Sequence, residues 1–512
     1  MNFIRAGIVA FLFIGCLRNP GMETSSLGEV DFAVTGKEEA QPSFQKGLLL
    51  LHSFEYEDAA EAFRKAKELD PACTMAYWGE VMTQNHSLWR YQNYEGADSI
   101  LQLLAATPEE RVEKAKTQIE KDFIAGVNIL YGKGSKVERD SGYAAHMGEL
   151  YQKYPGNNEV AAFYSIALIG SVPVGRDTKV YEHAAEIAKE VLTRNPKHPG
   201  ALHYLIHAYD DPGHALLAME TADAYAVVAP DAGHALHMPS HIYLAAGLWD
   251  KVVSSNEAAW AAGQVRKEQK HLTNDALNYH AYHWLLYGYL QQGRVVDARK
   301  LVDNMKVFCN ELSSSRARTH MIYLKTTYLV ETNDYTGDIA FINVNKDDLN
   351  IATRALDHFV HGVEAYRTNA SIVLDSIIRH MTAERLLEEE RSSGSNVRTC
   401  SGSNSLIPDA LDLQCAQVME LELQAMYAWM HNDDTAAEKF LREAVDMESS
   451  SSFIYGPPSI VKPSYELFGE WLLEHGRSEE ALQQFERALK IYPGRVLSVK
   501  GKEKAEMIKK AI

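Results

Sequence analysis

The feature that most limits what this 512-residue chain can fold into is a pattern that recurs with a period of about 34 residues. Residues 40–71, AQPSFQKGLLLLHSFEYEDAAEAFRKAKELDP, set Gly47, Ala59, Phe63, Ala66 and Pro71 at successive intervals. Near the other end, YELFGEWLLEHGRSEEALQQFERALKIYP repeats those intervals with Gly469, Ala481, Phe485, Ala488 and Pro493, led by Tyr465. A weaker copy, AAEKFLREA, gives Ala437, Leu441 and Ala444, with Leu in place of Phe. Small residues let two antiparallel helices approach closely, and Phe and Tyr fill the gap to the next pair. Proline then ends the second helix, because it cannot continue the hydrogen-bond ladder. No stretch alternates with the two-residue period of a strand, so the expected class is all-α.

The pattern resembles the tetratricopeptide repeat (TPR) family, with Gly47, Ala59, Phe63, Ala66 and Pro71 at the eighth, twentieth, twenty-fourth, twenty-seventh and thirty-second consensus positions. The resemblance implies a TPR-like right-handed superhelical solenoid of antiparallel helix pairs over most of residues 41–512, with degenerate repeats over 86–140 and 310–425. Thr107-Pro108-Glu109-Glu110 reads as a capping box that starts a helix running to about Tyr131. The low-complexity run RSSGSNVRTCSGSNS divides the array into repeats over 41–390, a flexible loop over 391–406 and C-terminal repeats over 407–512.

The N-terminus, MNFIRAGIVAFLFIGCLRNP, reads as a signal peptide over residues 1–15, its apolar run too short to span a bilayer. Phe13-Ile14-Gly15-Cys16 resembles the lipobox of bacterial lipoproteins, which implies an exported protein of the cell envelope, held to a membrane by a lipid on Cys16. Residues 16–40 show no period and read as a tether. The formal charge of −18 comes from 69 acidic and 51 basic residues without a basic stripe, which excludes nucleic acid as a partner. Cys73, Cys309, Cys400 and Cys415 match no CxxC zinc motif.

Ten of the chain's twenty histidines fall between His198 and His283. They keep the repeat's register: His203 and His237 are 34 residues apart, as are His207 and His241. Counted from the repeat prolines, Glu159, His234 and His280 take position two, His203, His237 and His283 position five, His207, His241 and Tyr287 position nine, and Asp210 position twelve. These positions form one stripe on a helix. In TPR proteins that stripe of the first helix faces the concave groove, so the resemblance implies that these residues line one surface.

Three readings of that surface stay open. The histidines could hydrogen-bond one another and water. The groove could bind a peptide, protein or small-molecule ligand, with Glu159, Asp210, Tyr287 and Trp78 in contact. Or His203, His207, His234, His237, His241, His280 and His283 could hold a transition metal, zinc or iron. Imidazoles four apart on a helix reach one ion, and neighbouring helices about 8–10 Å apart bring a second pair within range. The alternative to a binding protein is a metalloenzyme in the same groove, a metal-assisted hydrolase or an oxygen-dependent enzyme. The segment SSSSFIYGPPSIVKPSYELFGE, with Tyr455, Gly456, Pro457 and Pro458, is either a spacer or a lid over the opening.

Overall fold

The computed structural model describes residues 26–394 and 408–511. The expected signal peptide, Cys16 and most of the low-complexity run lie outside the described residues. The rest is a stack of antiparallel helix pairs, nearly every helix packed on the next along the chain. The strands among the described residues are Asn85–His86 and Tyr91–Gln92, a single short antiparallel ladder.

The repeat residues act as the pattern requires. Phe63 is fully buried, and its ring lies so close to Gly47 and Gly79 that a Cβ there would come within 2.8 and 2.3 Å of it. Phe485 does the same between Gly469 and Gly501, at 2.8 and 2.2 Å. Each phenyl ring thus joins the two helices of its own repeat to the first helix of the next, and glycine makes the room.

The capping box at Thr107 is present, with Thr107 Oγ1 accepting from the Glu110 backbone. The helix expected to run to Tyr131 is two helices, Pro108–Lys114 and Gln118–Leu130. A second capping box, Thr117 with Glu120, restarts it.

Residues 26–40, expected within a free tether, lie against the body instead. Leu27 and Phe32 are buried, the Glu29 N–H donates to Lys197 O at 2.9 Å, and the Thr35 hydroxyl donates to Glu120 at 2.9 Å.

The stack also closes on itself. Arg266 reaches Asp58 at 2.6 Å, the Trp249 indole donates to Gly494 O at 3.1 Å, and buried Arg495 meets Tyr287, Glu331 and Glu466. Two large hydrophobic cores meet along the helices Trp249–Gln269 and Tyr279–Gln291, where Val252 and Trp284 belong to one and Val253 and Tyr282 to the other. The face expected to line an open groove is therefore an interior.

Candidate metal centre

Six of the seven histidines expected to bind metal form two neighbouring sets of three, His203, His207 and His234 in one and His237, His241 and His280 in the other. His203 and His207 stand one turn apart on the helix Pro199–Ala208. His237 ends the helix Gly233–His237, and His241 follows on Pro239–Ala245, the break falling where Pro239 has no N–H to donate. His280 comes from the next repeat's first helix, Tyr279–Gln291.

In each set one ring nitrogen of every histidine lies within 4.8 Å of the others. His203 Nε2 is 3.1 Å from the Nε2 of both His207 and His234, and His237 Nε2 is 3.0 Å from His241 Nε2. Two imidazoles on one tetrahedral ion, each bound at about 2.0–2.1 Å, would have their nitrogens about 3.3 Å apart. The ring centroids of His207 and His241 are 5.5 Å apart, so the two sets adjoin.

What holds the far nitrogens decides the protonation. His203 Nδ1 is 2.7 Å from the carbonyl of His52, which only accepts. His237 Nδ1 is 2.7 Å from Asn256 Oδ1, and Asn256 is oriented by donating to Val252 O at 2.7 Å. His241 Nδ1 is 2.5 Å from the Asp210 carboxylate. In a neutral ring each Nδ1 must carry the proton, leaving Nε2 bare. Support of this kind is characteristic of metal-ligating histidines. Burial, reinforced by the neighbouring imidazoles, pushes His203, His207, His234 and His280 well below the ordinary histidine range, and burial with His241 does the same to His237.

A cavity of ≈ 320 Å³ opens beside both sets. His207 and His280, one from each set, line its wall, with Asp210, Trp284, Arg176 and Tyr455. Tyr455 comes from the proline-rich segment, and its ring packs 5.2 Å from that of His241. Gly456 has φ +103°, and a Cβ there would lie 2.7 Å from the Trp284 ring, so this segment packs closely into the cavity wall.

The other expected contacts fall elsewhere. Glu159 is fully buried away from the cavity, accepting from His52 at 2.7 Å and His198 at 3.0 Å. These two partners outweigh its burial and hold its carboxyl well below the usual carboxylate range. Trp78 packs edge-on against Phe123 and Phe163 in the core. Tyr287 is buried against Trp249 and Arg495. Each sits on the predicted stripe or beside it, but closure of the stack buries that part of the stripe. His283 lines the cavity and lies 2.9 Å from the Thr327 hydroxyl, outside both sets.

Three residues at the site, His52, Asn256 and Arg176, and His198 beside Glu159, had no place in the sequence reading. Register alone could not find His52 or Asn256, which reach the site from other helices. His198 was within reach, since it precedes Pro199 at the start of the histidine-rich helix and caps it by accepting from the Ala201 N–H.

The family model for the tetratricopeptide repeat matches residues 40–73, the first of the copies read above. No curated protein matches the chain. Among solved structures, it is similar to YrrB, a TPR protein with an unusual peptide-binding site, at 19% identity over 39% of this chain and 90% of that one, with a TM-score of 0.22. Yeast Tom70 is 11% identical over 93% and 90%, with a TM-score of 0.33. A human IFIT1 dimer with m7Gppp-AAAA is 12% identical over 94% and 96%, with a TM-score of 0.35.

Proposed function

We propose that this chain is a repeat scaffold holding two transition-metal ions, one on His203, His207 and His234 and one on His237, His241 and His280, beside a cavity that takes a small molecule. The observation that carries the reading is the contact between His237 and His241. Both rings have Nδ1 against an acceptor, and their Nε2 atoms face each other at 3.0 Å. Two bare lone pairs repel at that distance, and only a proton or a metal ion between them makes the contact favourable. Burial beside His241 disfavours that proton on His237; on His241 the Asp210 carboxylate at 2.5 Å would support it, so metal analysis decides between the two.

The fold is one that binds peptides or proteins along an extended concave surface. Here the expected groove is an interior, and its cavity of ≈ 320 Å³ suits a small molecule better than an extended peptide. A catalytic version of the reading is favoured by the cavity wall. His207 and His280 come from different sets, so a bound molecule would meet both ions. Metal-assisted hydrolysis and oxygen chemistry are the two classes such a pair supports.

Metal analysis of the protein purified without chelator tests this. Two transition-metal ions per chain are expected, and His237→Ala should remove at least one, while His214→Ala, outside both sets, should keep both. A metal-free preparation whose melting temperature ignores added zinc, iron, copper and manganese would remove the proposal. Export and a lipid on Cys16 belong to the same reading, on the N-terminal apolar run alone. Cys16→Ser should leave the protein soluble after cell disruption, and equal membrane association of variant and wild type would rule the anchor out.

A further inference from the structure

We infer that His358, His380 and Glu384 form a further metal site, which holds one divalent ion of the zinc type and clips two helices together. The inference does not rest on the reading of the buried histidine sets. His380 and Glu384 stand one turn apart on the helix Ser371–Gly394, and His358 faces them from the preceding helix, Ile351–Arg367. None of the three lines the cavity. The two oxygens of the Glu384 carboxylate each face one ring. His358 Nε2 is 3.3 Å from Oε2 and His380 Nε2 is 3.4 Å from Oε1, and one ring nitrogen of each histidine and one carboxylate oxygen lie within 4.8 Å of one another. Donor atoms that share a tetrahedral zinc ion at about 2.0–2.1 Å would stand about 3.3 Å apart.

A second observation is that two of these atoms are buried without a bond. His358 is 9% exposed, and among the described residues neither its Nε2 nor Glu384 Oε2 has a hydrogen-bond partner. Their 3.3 Å contact has the distance of an ion pair without the geometry of a hydrogen bond. Leaving two buried polar atoms unbonded is costly, and a cation between them removes that cost. The Arg354 guanidinium does not take this place: its Nη1 is 3.6 Å from Glu384 Oε1, the other oxygen, and its Nη2 donates to Glu388 at 2.9 Å. Glu388 accepts from Arg391 as well, at 3.0 Å. Two imidazoles and one glutamate are a donor set that zinc takes with water in the remaining position. The His380 side chain, 59% exposed, leaves that position open to solvent. With three protein ligands at a partly exposed place, this site empties first when the protein is purified without added metal, so its ion is read by adding it back.

The test adds zinc to the full chain against a zinc indicator and counts the equivalents bound. His380→Ala, a change at an exposed side chain, should take one zinc fewer per chain than wild type, whatever the buried sets hold, or bind that equivalent at least about 100-fold more weakly. His431→Ala, at an exposed histidine outside the site, should match wild type. Added zinc should also slow hydrogen exchange in the helices Ile351–Arg367 and Ser371–Gly394 of the wild type, and not in His380→Ala. Equal zinc uptake by wild type and His380→Ala, or exchange in these two helices that ignores added zinc, would overturn this site and leave the buried sets untouched. Failure of the buried sets alone would show differently, as a wild type that takes a single zinc and loses it in His380→Ala.

Discussion

At His237 the Nδ1–H is held by Asn256 Oδ1, and Asn256 is itself held by the Val252 carbonyl, so two hydrogen bonds of 2.7 Å fix one ring. Asn256→Leu removes the acceptor and leaves the buried N–H only the longer contact to Ser240 Oγ at 3.3 Å. Metal affinity should fall about 10–100-fold, with about 1–3 kcal/mol lost from the metal-free fold. Asn256→Asp, which keeps the acceptor, should bind more nearly as wild type. Competition against a chelator reads the difference, and an unchanged affinity in Asn256→Leu would show that the ring is held by something else. The buried imidazoles also set a pH dependence. Burial is the main cause that carries His283 and His320 down to about 3 in the fold, against about 6.5 in the unfolded chain. Above pH 6.5 both states are neutral and the difference vanishes. Below it the unfolded chain takes up protons that the fold refuses, so stability is lost as pH falls from 6.5 toward 3. At pH 5 the fully screened-off limit is about 2 kcal/mol for each such group. The melting temperature of the metal-free protein should therefore drop between pH 7 and 5, and a flat profile would count against neutral burial.

The repeat unit depends on a phenyl ring wedged between glycines. Phe63→Ala should open a cavity against Gly47 and Gly79 and cost about 3–5 kcal/mol, read by denaturant unfolding. A loss under about 1 kcal/mol would mean that the pair collapses to fill the space. The segment in the cavity wall depends on Gly456 in the same way. Gly456→Ala adds a Cβ at φ +103° and 2.7 Å from Trp284, which should lift the segment at a cost of about 1–3 kcal/mol. Faster proteolysis between residues 451 and 463 is expected, with the six histidines still able to bind metal. Unchanged cleavage would show that the segment is held elsewhere. That the segment packs against the cavity was not legible in the sequence, which offered a spacer or a lid, because proline stiffness states a shape and not a docking partner. The break after Lys114 was missed for a different reason: Ala115-Lys116 carries no helix breaker, and the Thr117/Glu120 box that restarts the helix was the available signal.

Across the whole molecule, stability is not confined to neighbouring repeats, as a linear array would have it. Arg495, fully buried in the last repeat, ties Glu466 of its own repeat to Tyr287 and to Glu331 on the helix Ser315–Thr332. Arg495→Met leaves buried Glu331 without its cation, while Glu466 keeps only Lys462 at 2.8 Å, and should cost about 3–5 kcal/mol. Hydrogen exchange should rise in the helices Tyr279–Gln291 and Ser315–Thr332 as well as at the C-terminus. A rise confined to residues after 463 would restore the nearest-neighbour picture. The sequence by itself determined the helices, the 34-residue period and the register that puts His203 above His207 and His237 beside His241, because each follows from local spacing along a helix. Only the tertiary structure decided that the histidine face is an interior, that Glu159, Trp78 and Tyr287 leave it, and that His52 and Asn256 join it. Curvature accumulates from packing between repeats, and closure rests on pairs such as Asp58 with Arg266 and Tyr287 with Arg495, 208 residues apart in both cases, which no period encodes.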